Sequence, residues 1–164
     1  MEELNQYLTF KLDNEIYGIS IHKVREVLDW TRVTKVPQTP DYMIGVLNLR
    51  GNVVPIIDMK MKFGLNAVEK TINTCIIIVE VLFNNDISVI GILADSVKEV
   101  IEISDNQIEP APKLGVKINI DFIKGIGKHD GDFIIILDID KIFQEDCYAG
   151  VDNLEITDSA TIQM

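Results

Sequence analysis

Histidine, cysteine and tryptophan are nearly missing from this 164-residue chain, at two, two and one. His22 and His129 stand at unrelated places, so a metal centre would have to rest on carboxylates, and no ligand spacing of a known metal site is present. Cys75 lies in an apolar run and Cys147 near the end. Without a CxxC spacing they read as a small buried hydrophobe and a free thiol, not as a disulfide or redox pair. Cations are also short, with 15 Lys and Arg against 26 Asp and Glu, a net charge of −11. Such a surface repels a phosphate backbone or an anionic lipid face, and nucleic acid is excluded as an expected partner. Long hydrophobic runs are absent too. No stretch nears the roughly 18 apolar residues that a bilayer crossing needs, and Met1-Glu2-Glu3 is acidic where a signal peptide would be basic. The expectation is a cytoplasmic protein with no cofactor and no direct membrane insertion.

What the chain does have is a 47% apolar composition and an internal repeat. At an offset of 80 residues, Asp41 to Phe63 lies over Asp121 to Phe143, matching Gly45 with Gly125, Gly51 with Gly131, Ile56 with Ile136 and Asp58 with Asp138. At an offset of 73, Ile16 to Asp29 lies over Val89 to Glu102, matching Gly18 with Gly91 and Glu26 with Glu99. Glycines and apolar periods kept in phase over this length predict two similar structural units. Each opens with a hairpin, Tyr7 to Leu12 with Glu15 to Ile21, and Thr74 to Phe83 with Ile87 to Leu93. A Val-x-Glu-Val segment, a proline-bearing loop (Pro37 and Pro40, or Pro110 and Pro112) and a Gly-turned hairpin follow. Short strands at this spacing predict an all-β fold of two small barrels with little helix. Helical turns are expected near His22 to Val24, near Asp41 to Ile44, and after Asp58 and Asp138, whose carboxylates are placed to cap free N–H groups. The units are expected over about 6–70 and 71–143, with any strand exchange left open, followed by an acidic tail, 144–164, at least partly mobile.

Catalytic motifs fare poorly. One aspartate per half is how aspartic proteases pair two carboxylates, but Met59 and Ile139 follow Asp58 and Asp138 where small residues would let the loops approach. Strand-end capping is the commoner use of such an aspartate. Gly125-Ile126-Gly127-Lys128 lacks the Ser or Thr and the long helix of a phosphate loop. No G-x-S-x-G is present. The expectation is a non-enzyme, the alternative being an all-β module that binds a small molecule in the cleft between barrels.

The halves part company in chemistry at Asn48-Leu49-Arg50, which faces Lys128-His129-Asp130 in the second copy. Arginine suits bidentate pairing with a carboxylate, and Glu26 is available. An ordinary surface ion pair is one reading. An apolar and a cationic anchor exposed together at a hairpin tip is the other, because that is the composition of an interface hot spot.

The run Gly45-Val46-Leu47-Asn48-Leu49-Arg50-Gly51, with Val54-Pro55-Ile56-Ile57-Asp58 after it and Tyr17-Gly18-Ile19 and Val24-Arg25-Glu26-Val27 before it, resembles the signature of the CheW-like domain family of chemotaxis coupling proteins. The resemblance extends from about Gln6 to Phe143. It implies two five-stranded SH3-like barrels on a shared hydrophobic core. It also implies an adaptor that joins the cytoplasmic tips of methyl-accepting chemotaxis receptors to the regulatory domain of the histidine kinase CheA, recruited to membrane-associated receptor arrays. By the same resemblance Val24, Glu26, Asn48, Leu49 and Arg50 are expected to contact receptor, and Val27, Val36, Pro37 and Tyr42 the kinase. Gly45, Gly51, Asp58, Gly91, Gly125, Gly131 and Asp138 are expected in structural roles. Kinase and receiver-bearing relatives carry the same domain, and the chain is expected to lack room for either extra domain.

Overall fold

A computed structural model describes residues 4–66, 69–110 and 120–144. Pro112 and the tail beyond 144, Cys147 included, lie outside the described residues. In chain order the elements are β1 (Leu4–Leu12), β2 (Glu15–Ser20), β3 (Val24–Asp29), β4 (Met43–Leu49), β5 (Asn52–Asp58), α1 (Met59–Lys62), β6 (Cys75–Phe83), β7 (Asp86–Ala94), β8 (Ser96–Ser104), β9 (Ile108–Glu109), β10 (Ile123–His129), β11 (Asp132–Leu137) and α2 (Ile139–Ile142). Short 3₁₀ turns precede β3, β9 and β10.

The strands form two sheets of matching order. The first is β3-β6-β7-β5-β4 and the second β8-β1-β2-β11-β10-β9. Each therefore draws on both sequence halves. The opening hairpin of the first half sits in the second barrel and that of the second half in the first, so neither barrel is a continuous span such as 6–70 or 71–143. The exchange is made by parallel pairs at repeat-equivalent places, Ile56 beside Gly91 and Ile136 beside Gly18. The sixth strand of the second sheet, the two-residue β9, pairs with β10 across Ile126 and Gly127. Its counterpart in the first sheet is the single bridge between Thr34 and Val46.

Three apolar clusters follow from strand alternation. Ile76 and Ile78 point into the first barrel with Val54, Ile56 and Leu93, while Tyr7, Ile101, Ile103, Ile134 and Ile136 fill the second. The intervening residues face outward into a larger core between the barrels, where Leu8, Phe10, Leu12 and Ile19 meet Ile77, Val79, Val81 and Ile92. That is why β6 is continuously apolar from Cys75 to Val79: Ile76 to Val79 are buried on both of its faces. Phe10, Tyr17, Phe63 and Phe122 continue this core as a chain of ring contacts, with centroids 6.0 to 6.3 Å apart. With each buried Ile, Leu or Phe contributing about 1.5–3 kcal/mol, the inter-barrel core dominates the cohesion of the two units.

Both expected caps form, unequally. Asp58, fully buried, accepts from the backbone N–H groups of Lys60 and Met61, and Asp138 from that of Lys141. Asp58→Ala would leave two N–H groups short in a dry place and should cost about 2 kcal/mol, the upper end for a cap, with Asp138→Ala about 1 kcal/mol or less. Urea unfolding of the two variants checks that ranking.

Candidate functional site

The site is built on the turn between β4 and β5. Arg50 and Gly51 have φ of 51° and 87°, and Asp130 and Gly131 at the equivalent turn have 50° and 83°. Both are two-residue hairpin turns of the primed type, which favour Asn, Asp or Gly at the first position. Aspartate suits that place and arginine does not, so the first barrel holds a long cation where local geometry disfavours it. Asn48 steadies the turn, its Oδ1 accepting from the Gly51 N–H at 2.9 Å. Leu49 leans back on the first barrel's cluster, half-buried.

Arg50 reaches across to β3 and makes a two-pronged pair with Glu26, Nη1 to Oε2 at 2.7 Å and Nη2 to Oε1 at 2.9 Å. The glutamate side chain is 25% exposed and the arginine 71%, so the carboxylate is sheltered while the guanidinium stays available. The Arg50 hydrogen bonds hold the Glu26 carboxyl below its ordinary range, and the carboxylate in turn raises the guanidinium. A depressed carboxyl pKa means that the pair's contribution is present above the ordinary glutamate range and is lost as pH falls through the lowered value. A carboxyl-carbon NMR titration should therefore place the Glu26 midpoint below the ordinary glutamate range, and Arg50→Ala should return it to that range.

An open depression of about 700 Å³ adjoins the pair, lined by Arg25, Glu26, Leu49, Arg50, Asn52, Val53, Val54 and Val89. Its lip carries Val53, 63% exposed. Of the residues expected at a receptor contact, Glu26, Leu49 and Arg50 line the depression. Asn48 supports it from the turn, whereas Val24 packs against the inter-barrel core. Arg25, Asn52, Val53, Val54 and Val89 also line it and were not among the expected residues. Val53 could have been found from its polar-side phase in Asn52-Val53-Val54, but Val89 comes from β7, and no pattern links it to β5.

The residues expected to face the kinase are spread over three places. Val27 is exposed on β3, Val36 and Pro37 lie in the β3–β4 connection, where Thr39 Oγ1 donates to the Val36 carbonyl, and Tyr42 packs on the inter-barrel core with the Lys62 ammonium 4.4 Å from its ring centre. The structural glycines fall at close approaches and turns. Gly45 and Gly125 sit at strand irregularities where the closing segment crosses, Gly91 lies against Ile56 and Ile76, and Gly51 and Gly131 occupy open turns. Among the described residues no group of three or more His, Cys, Asp or Glu could hold a metal, and no helix is long and apolar enough to cross a membrane.

Residues 6–147 match the model of the CheW-like domain. The chain is 38% identical over 149 residues to the chemotaxis protein CheW of Klebsiella aerogenes, covering 91% of this chain and 87% of that one. It is 32% identical over 138 residues to the chemotaxis protein CheW of Rhizobium meliloti, covering 84% and 86%. The crystal structure of the scaffolding protein TtCheW from Thermoanaerobacter tengcongensis superposes with a TM-score of 0.76 at 37% identity, over 86% of this chain and 88% of that one. The family model, the identities and the superposition agree: the chain belongs to the CheW-like domain family.

Proposed function

We propose that this chain is a non-enzymatic adaptor of bacterial chemotaxis, coupling the cytoplasmic tips of methyl-accepting chemoreceptors to the regulatory domain of the histidine kinase CheA. The observation that carries the reading is the asymmetry of two otherwise equivalent turns. Only the first barrel presents a sheltered carboxylate holding an exposed arginine beside Leu49 and Val53. An oriented guanidinium next to exposed apolar area is what the centre of a protein interface requires. The relatives named as chemotaxis proteins and as a scaffold support the same role. Two barrels of like strand order present two related edges, which fits a partner domain of similar fold. Two weak contacts made together raise avidity by roughly 10² to 10⁴. On this reading the kinase contacts are sought among Val27, Val36, Pro37 and Tyr42, which lie at three separate places, and the protein works at membrane-associated receptor arrays without entering the bilayer.

The test is kinase control in a reconstituted mixture of receptor fragments, kinase and this chain from one genome. Adding the chain is expected to make phosphorylation by the kinase depend on receptor. A kinase rate indifferent to the chain at saturating concentrations of all three would overturn the proposal.

A further inference from the structure

The two short helices carry a charge reversal at equivalent positions. Lys60 is the second residue of α1 and Asp140 the second of α2, and the 80-residue offset places one over the other. Lys60 is buried, 5% exposed, with Nζ 2.5 Å from Asp13 Oδ1 and 3.9 Å from Asp95 Oδ2. Asp95 Oδ2 in turn accepts from the Asp13 backbone N–H at 2.6 Å, and the Asp95 N–H donates to the Lys11 carbonyl at 2.9 Å. Asp13 is the tip of the β1–β2 hairpin, which belongs to the second barrel, whereas α1 continues directly from β5 of the first.

The arrangement at α2 is the converse. Asp140 Oδ1 accepts from the Leu82 N–H at 2.8 Å and Oδ2 from Lys23 Nζ at 2.7 Å. Leu82 adjoins the tip of the β6–β7 hairpin, which belongs to the first barrel, while α2 continues from β11 of the second. In both cases the helix closing one barrel grips the hairpin that its own sequence half lent to the other. One grip uses an ammonium against two carboxylates, the other a carboxylate against a backbone N–H and an ammonium.

We infer that Lys60 and Asp140 are reciprocal clasps that fix the orientation of one barrel on the other. The inter-barrel core holds the barrels together, but apolar burial is non-directional and tolerates small rotations. Charge-assisted hydrogen bonds are directional, and one clasp from each helix adds two fixed points between the barrels to that core. The chemistry of the two grips is not interchangeable. An ammonium at position 140 could not accept from the Leu82 N–H and would face Lys23, and a carboxylate at position 60 would face Asp13 and Asp95.

The experiment uses the full chain with Cys75→Ser and Cys147→Ser, and spin labels on Val53→Cys and Phe133→Cys. These are equivalent positions of the two barrels, 63% and 67% exposed. Electron-electron distance measurements should give one narrow distribution in the parent. Lys60→Met and Asp140→Ala should each broaden it, the double variant should broaden it further, and Lys60→Arg should keep it narrow. Hydrogen exchange at the Leu82 amide should quicken at least tenfold in Asp140→Ala, with the amides of Ile76 to Val79 on the same strand unchanged. A lowered melting temperature with an unaltered distance distribution in both variants would show that the clasps only add stability, and would overturn the inference. So would an unchanged distribution with unchanged exchange.

Discussion

Arg50→Ala is expected to weaken binding of a receptor-tip fragment about thirtyfold while leaving the melting temperature almost where it was. The asymmetry of effect comes from the asymmetry of exposure. The guanidinium is 71% exposed, so solvent screens its pairing with Glu26 and folding gains little from it. At the centre of an interface the same side chain is desolvated, and truncating such an anchor typically costs a factor of this order. Asp130→Ala, at the equivalent turn of the second barrel, should leave receptor affinity unchanged and cost about 1 kcal/mol of stability or less, because alanine suits a φ of 50° less well than aspartate. Exchanging the charges with Glu26→Arg and Arg50→Glu should restore the intramolecular pair, but not receptor affinity, because the partner meets the guanidinium at the turn. Calorimetric titration of the fragment against the four proteins reads all of these. Unchanged affinity for Arg50→Ala together with a large drop in melting temperature would make Arg50 a structural residue and move the receptor site elsewhere.

Gly45→Ala should cost the first barrel about 3 kcal/mol, as much as truncating a buried side chain although it adds only a methyl group. Gly45 has φ of 156°, and a Cβ there would lie 2.5 Å from the Thr34 carbonyl oxygen and 2.9 Å from a Val33 methyl carbon. The obstacle is backbone, which cannot rotate away. It is also the part of the β3–β4 connection that bridges to Val46 of β4, with Thr34 N and Val46 N each donating to the other's carbonyl at 2.9 and 2.8 Å. Strain in the backbone and overpacking each contribute on the order of 1–3 kcal/mol. The control is Gly51→Ala, where φ of 87° is also unusual but nothing lies within 4 Å of the new carbon. Its cost is conformational alone, about 1–2 kcal/mol. Urea denaturation of both variants should show the larger loss at Gly45. Equal losses would mean that the closure at Thr34 contributes nothing.

The repeat was legible because packing constrains glycine and isoleucine in the same way in both halves. Gly91 leaves room for Ile56 and Ile76, Gly18 for Ile134 and Ile136, and the pattern that records those contacts survives in the sequence. The caps were legible for a similar reason, since Asp58 and Asp138 act on N–H groups two or three residues away. The exchange of hairpins was not. Parallel pairs such as Ile56 with Gly91 need no local turn, so nothing near either residue announces the other. That gap explains the incomplete site. Glu26 and Arg50 belong to one half and could be paired on chemistry, whereas Val89 reaches the same depression from the other half. Lys60 was passed over because a lysine in a helical turn ordinarily faces water, and only the folded chain shows it buried against Asp13.

Coupling requires that one copy of this chain hold receptor and kinase together, and sedimentation velocity on the chain with a receptor-tip fragment and the kinase regulatory domain measures that directly. The predicted result is a boundary containing all three components, faster than either binary mixture and depleted of receptor fragment when Arg50→Ala is used. Two binary complexes that compete with one another, with no ternary boundary at any ratio, would contradict the adaptor role.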